Sequence, residues 1–443
     1  MPLETVSDSD LAYYLINFDS EGSERVERDS SWTSDTLVKV LSEQEITDVF
    51  VFSHGWMGDI PAAKRQYEKW VRAMAANTVD IERLKQNRPG FKPLLVGVHW
   101  PSLPWGDETL DGKSESEVAD AIVSTYSKKI ADTESARAAL QTIVSEANED
   151  IEPDQLSDKT ITAYNILNQE SGLGSNGEAA APGDDREPFD PEKIYRDAEE
   201  EEDSEAFGDF APGDFLLNRI FSPLRSLSYW KMKERARQFG ESGGFNLLCK
   251  LQHAASDAVR FHLIGHSFGC IVMTATLAGP NRQGVLPRPV NSLCLIQGAL
   301  SLWAYCQDIP VKQGSAGYFY PVIAEQKVVG PIVTTQSEHD SAVGKLYPLA
   351  SGIAMSNPDF APDNLPRYGA IGAFGIQGRG LEISDIDMRP VEEAYIFEAG
   401  KIYNLEASRY ISKIPPDAGL GGAHSAIDEP EVAHAVWSAA MPA

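Results

Sequence analysis

The segment Val259-Arg-Phe-His-Leu-Ile-Gly-His-Ser-Phe-Gly-Cys-Ile-Val-Met-Thr-Ala-Thr276 constrains the fold more than any other part of this chain. A β-rich apolar run enters Gly265-His266-Ser267-Phe268-Gly269, and a run of small and apolar residues leaves it. That order predicts a strand, a sharp turn and a helix. Where a helix folds straight back against the strand that feeds it, a Cβ two positions to either side of the turn would collide, so Gly265 and Gly269 flank Ser267 for a steric reason. The turn raises the Ser267 hydroxyl above the sheet at a helix N-terminus, where the positive end of the helix dipole favours developing negative charge.

The rest of the chain repeats that alternation. Short apolar runs, each followed by glycine or Asx and a helical pattern, predict core strands at Leu11–Phe18, Asp48–Ser53, Pro93–Trp100, Val259–Gly265, Val290–Gly298, Gly330–Thr335 and Ile402–Glu406. A further strand, Glu393–Phe397, is expected to form a hairpin with the last across 398–401. Helices are expected at Pro61–Ala75, with Tyr67, Trp70, Val71 and Met74 at helical spacing, and from about Pro430 to Ala440. About 140 residues separate the strand ending near Trp100 from the one beginning at Val259, far more than a minimal α/β unit uses. The chain therefore divides into an N-terminal core half (1–102), an insertion (103–241) and a C-terminal core half (242–443).

The nucleophile-elbow sequence GHSFG resembles that of the α/β-hydrolase family of lipases, esterases and related serine hydrolases. A second motif agrees with it. In that family an earlier strand ends in His-Gly, and the following backbone N–H completes an oxyanion hole; Val49-Phe-Val-Phe-Ser-His54-Gly55-Trp56 is similar. The likeness spans residues 11–102 and 242–443, not the insertion. It implies the α/β-hydrolase fold, a mostly parallel central sheet flanked by helices with a large inserted cap or lid. It also implies Ser267 as nucleophile, with the backbone N–H groups of Trp56 and Phe268 as oxyanion donors.

A serine hydroxyl is a weak nucleophile at neutral pH and needs a histidine base oriented by a carboxylate. The family order of serine, acid, histidine leaves His339, His424 and His434 as bases. His434 falls in the last helix and His339 precedes the expected place, whereas His424 lies in the loop between the last strand and the last helix. For the acid, Asp340 opens a helix-like segment after the strand at 330–335, and Glu338 competes with it; Asp385 and Asp387 stand further back. His266 is expected to pack under the elbow. His99 lies at a strand end near the site.

Composition narrows the partners. The 443 residues carry 38 Lys and Arg against 66 Asp and Glu, a net charge of −28, which opposes nucleic acid and anionic lipid. The imbalance is local. Asp184–Asp214 holds 14 acidic and 3 basic residues, and Arg219–Arg237 holds 6 basic and 1 acidic. The basic segment interleaves cations with apolar residues over 216–239, so membrane contact is one reading and a cap helix facing the acidic run is the favoured one. Aromatic residues of the insertion and its margins, Trp100, Trp105, Phe207, Phe210, Phe215, Phe221, Tyr229 and Trp230, either roof an apolar acyl pocket or form the insertion's own core. Cys249, Cys270, Cys294 and Cys306 read as reduced, buried residues in a cytoplasmic protein without signal or spanning segment. No phosphate-binding or dinucleotide glycine motif and no Cys/His cluster occurs, so no cofactor and no metal are expected. The expected substrate is an ester with an apolar acyl or alkyl group, hydrolysed through an acyl-enzyme. Acyltransferase or thioesterase chemistry on the same triad, or a non-catalytic binding module on the same scaffold, are the alternatives.

Overall fold

Strands buried on both faces read as largely apolar runs, and four segments that lie side by side in the sheet have that character. They are β3 (Asp48–Ser53), β4 (Pro93–His99), β5 (Arg260–His266) and β6 (Ser292–Ile296). The computed structural model describes residues 3–7, 9, 11–27, 30–56, 60–102, 115–149, 155–199, 219–346, 365–414 and 422–441. Around the four central strands lie β1 (Leu3–Thr5), β2 (Ala12–Asn17), β7 (Ile332–Gln336), β8 (Ile383–Asp387) and β9 (Ile402–Glu406). The sheet order is β1-β2-β4-β3-β5-β6-β7-β9-β8. Among these nine described strands β1 pairs antiparallel with β2, and the other pairings are parallel.

Because side chains alternate along a strand, the sheet feeds two cores. Val49, Val51, Val96, Val98, Leu263 and Leu293 join one cluster, packed with helices Phe245–Ala254 and Phe268–Ala278. Phe50, Phe52, Leu95, Ile264, Cys294 and Ile296 join the other, packed with helices Ile60–Ala76 and Pro430–Ala439. Tyr67, Trp70, Val71 and Met74 are the buried face of the first of these, as their spacing requires.

The expected hairpin at Glu393–Phe397 does not form. Strand β9 has β7 on one side and β8 on the other, so neither of its edges is open to a further strand. Tyr395 and Phe397 are buried by ring packing instead, Tyr395 against His434 and Phe397 against Tyr403.

Between β4 and β5 run helices Glu115–Lys129, Glu134–Glu149, Asp158–Ser171, Pro191–Glu199 and Ser222–Phe239. They share a cluster of their own, including Ile122, Tyr126, Leu140, Tyr164, Leu167, Phe221, Leu224 and Leu227. The last helix bridges two cores, since Met232, Ala236 and Phe239 belong to the sheet's cluster. Its cations, with Arg219 of the preceding turn, are buried or half-buried and bonded within the protein. Arg219 donates to the Tyr195 hydroxyl at 2.8 Å, Lys231 to the Ser171 carbonyl at 2.7 Å, Arg235 to the Lys128 carbonyl at 2.7 Å and Arg237 to Glu241 at 2.9 Å. Lys233 pairs with Asp185 and Arg225 is buried. The segment 172–190 returns to the sheet side, where Tyr318 N–H donates to the Ala179 carbonyl at 2.8 Å and Arg367 pairs with Glu178.

Trp230 and Phe221 are core residues and Trp100 lies in the sheet's cluster, whereas Trp105, Phe207, Phe210 and Phe215 fall outside the described residues. All four cysteines are free thiols; three are buried, but Cys249 is half-exposed, because it lies on the open side of an amphipathic helix. Among the described residues no helix is long and apolar enough to cross a membrane.

Candidate active site

In open parallel sheets the carboxyl ends of the strands carry the ligand-facing loops. Here the ends of β3, β5, β6 and β7 carry His54, Ser267, Gln297 and Asp340. Ser267 occupies φ 55° and ψ −122°, a sparsely populated conformation for a residue with a side chain. Neighbouring main chain holds it there: Ser267 N–H donates to the Ile296 carbonyl at 3.1 Å, and the Ser267 carbonyl accepts from Cys270 and Ala299 N–H at 3.0 and 3.2 Å. A Cβ on Gly265 would lie 2.6 Å from Cys270 N, and one on Gly269 would lie 2.7 Å from the His54 carbonyl oxygen. Both glycines are thus demanded by close backbone approach, as the motif predicts.

The loop after β3 meets this turn directly. An ideal Cβ on Gly55 would stand 2.8 Å from the Ser267 Cβ. His54 is pinned from both sides, its N–H donating to the Tyr67 hydroxyl at 2.9 Å and its carbonyl accepting from Trp100 Nε1 at 3.0 Å. Its ring stacks on His99 and Trp100 at centroid distances of 5.3 and 5.8 Å. Burial, reinforced by His99, pushes the His54 imidazole down to about 3. Next along the chain, the Trp56 ring stacks on Phe268 at 5.7 Å and 20°, and both rings contact Tyr229 of helix Ser222–Phe239. Phe268 is the first residue of its helix, so its N–H has no acceptor within that helix.

The candidate acid and base lie in two further loops. His424 Nδ1 bonds Asp340 Oδ2 at 2.8 Å. Asp340 is 1% exposed, and its Oδ1 accepts from Val343 N–H at 3.2 Å while Oδ2 also accepts from Gln297 Nε2 at 2.6 Å. Glu338 points to solvent, 78% exposed beside His339 at 3.7 Å. Asp385 accepts from Asn404 at 2.7 Å on the edge strand, where Asp387 also lies. His424 reaches the elbow through His266, whose Nε2–H donates to the His424 carbonyl at 2.9 Å; Gln66 donates to His266 Nδ1 at 3.0 Å. Burial, then the neighbouring His424 charge, holds His266 well below the usual histidine range, so it stays neutral and structural. No hydrogen bond joins Ser267 Oγ to His424 among the described residues; such bonds are often long before substrate binds.

A second serine–histidine–aspartate chain lies at the opposite end of the sheet. Ser292 Oγ is 2.8 Å from His262 Nδ1, and His262 Nε2 is 3.1 Å from Asp48 Oδ1. All three are at most 1% exposed and Arg88 pairs with Asp48, so this set ties the strand starts together out of reach of any ligand. His434 is likewise buried, bonded to Asp80 at 2.7 Å.

Sequence reasoning missed Gln297 and Gln66, and it read Tyr67 as a helix-face core residue without its hydrogen bond to His54. Neither glutamine carries a local signal, because each bonds residues distant in the chain. Among the described residues no group of three His, Cys, Asp or Glu could hold a metal ion. Compared with family models, curated proteins and solved structures, the chain matches none.

Proposed function

We propose that the protein is a serine hydrolase of the α/β-hydrolase type that cleaves carboxylic esters through an acyl-enzyme. The observation that carries the reading is the Asp340–His424 hydrogen bond in a loop tied through His266 to a serine of strained backbone conformation.

The chemistry follows from those contacts. With Nδ1–H donated to Asp340, His424 presents the Nε2 lone pair as the base. Ser267 Oγ attacks the ester carbonyl as its proton passes to His424 Nε2. The carbonyl oxygen becomes an oxyanion, for which the Trp56 and Phe268 N–H groups are the donors. The tetrahedral adduct collapses as His424 returns the proton to the leaving alkoxide, releasing the alcohol. Water then repeats the sequence on the acyl-enzyme and releases the acid. No cofactor takes part in these steps.

The inserted helices act as a cap, with Tyr229 laid over Trp56 and Phe268. That aromatic surface favours an apolar acyl or alkyl group. The burial of Arg225 and Lys233, with Lys231, Arg235 and Arg237 half-buried and bonded to protein groups, supports a cap rather than a lipid-facing surface. Four free thiols fit a reducing compartment, and we assign the protein to the cytoplasm.

Ser267→Ala should abolish both turnover of a chromogenic ester and labelling by a fluorophosphonate, and Asp340→Asn should lower kcat about 10⁴-fold by destroying the His424 tautomer. Undiminished labelling of the Ser267→Ala protein would refute the assignment.

A further inference from the structure

The hydrogen-bond directions around Gln297 are fixed one by one. Its main-chain N–H donates to Thr335 Oγ1 at 3.0 Å, so the Thr335 hydroxyl turns its own proton to Gln297 Oε1 at 2.8 Å. With Oε1 committed as an acceptor, the side-chain amide has one orientation. Nε2 then faces Asp340 Oδ2 at 2.6 Å and the Gly372 carbonyl at 3.3 Å. Gln297 is fully buried and holds φ 46°. An ionised carboxylate only accepts, and Oδ2 therefore takes two charge-assisted bonds, one from Gln297 and one from His424.

The main chain beside Gln297 also clasps the nucleophile. Ile296 accepts from Ser267 N–H, and Ala299 N–H donates to the Ser267 carbonyl. One short stretch after β6 thus touches Ser267 with its backbone and Asp340 with a side chain.

We propose that Gln297 is the positioning residue of the acid–base pair, holding the Asp340 carboxylate so that Oδ2 meets His424 Nδ1 and moderating the negative charge that the imidazole feels. This deepens the hydrolase reading and rests on it for its effect on rate. When the Gln297 donor is removed, Oδ2 has one partner fewer to neutralise it and attracts the imidazolium more strongly. The pair also loses the contact that orients it.

Two variants test the idea. Gln297→Leu removes the donor at similar volume. It should lower kcat about tenfold to a hundredfold, as loss of one charge-assisted hydrogen bond predicts, with KM little changed. The acid limb of its pH–rate profile should move to higher pH. In proton NMR the far-downfield Nδ1–H resonance of His424 should move. Gln297→Glu keeps the shape and, while protonated, can donate to Asp340, so it should outperform Gln297→Leu at low pH and lose that advantage as the pH rises. An unmoved acid limb and an unmoved downfield resonance would overturn the proposal, as would equal activity of the two variants across pH. Should Gln297→Leu fail to fold, Gln297→Glu carries the test alone. Should the wild-type protein ignore fluorophosphonate, the hydrolase reading fails, and the resonance still reports whether Gln297 acts on the Asp340–His424 bond.

Discussion

Lowering the pH from 7 to 5 should cost the folded protein about 2 kcal/mol through His54 alone. The His54 Nδ1 pairs with the Gly55 carbonyl at 2.8 Å and so carries the proton. Nε2 is buried and has no partner. A second proton would place a buried N–H⁺ against the His99 and Trp100 rings with nothing to accept it, which is why the group is pushed down from 6.5 to about 3. The unfolded chain takes up a proton below about 6.5 that the folded chain refuses until about 3, so stability falls with pH across that window. At about 1.4 kcal/mol per pH unit, the roughly 1.5 units between 6.5 and 5 give about 2 kcal/mol. His262 and His266 are also lowered, chiefly by burial, and steepen the decline. Comparison with His54→Asn isolates the His54 share, because asparagine can still donate to the Gly55 carbonyl but does not titrate. The variant should be less stable at pH 7, by about 1–3 kcal/mol for its lost ring packing. Its deficit should shrink by about 2 kcal/mol at pH 5, read from urea unfolding at both pH values. A deficit that stays constant within about 0.5 kcal/mol would show that His54 titrates alike in both states and would refute the argument.

Other perturbations test the frame of the site. Gly269→Ala drives a Cβ into the Ser53 and His54 carbonyls; a loss of about 1–3 kcal/mol or more in urea unfolding, together with slowed fluorophosphonate labelling, is expected, and an unimpaired variant would contradict the close approach. Lys233→Met takes the countercharge from the Asp185 carboxylate, which is only 2% exposed and keeps its bond from Gly183 N–H, and should cost about 3–5 kcal/mol. The double variant Lys233→Met/Asp185→Leu should recover most of that loss in the same measurement, and no recovery would place the cost in packing around Lys233 instead.

The expectations for the central strands and the elbow follow from strictly local physics. Strands covered on both faces must be apolar throughout, which marks β3, β4, β5 and β6 in the sequence. An outer strand escapes that rule. In β8, ISDID, just two of the five residues, Ile383 and Ile386, are apolar and Asp385 and Asp387 are exposed, while the apolar rings at 395 and 397 mimic a strand that has no open edge to join.

By itself the sequence determined what must be true within a few residues: glycines where backbones touch, a serine forced into a strained turn, a helix whose buried face repeats at 3.6-residue spacing. It also named a few carboxylates and histidines as candidate partners. Only the tertiary structure shows which of them pair, because a carboxylate becomes a partner by facing a histidine from 84 residues away, as Asp340 does, while Glu338 two positions earlier turns to water. For the same reason Ser292, His262 and Asp48 can align as a triad and still be inert: burial and position relative to the strand ends depend on how the whole chain packs. Gln297 belongs to that second category, since its hydrogen bonds to Thr335 and Asp340 exist only once β6 and β7 lie side by side.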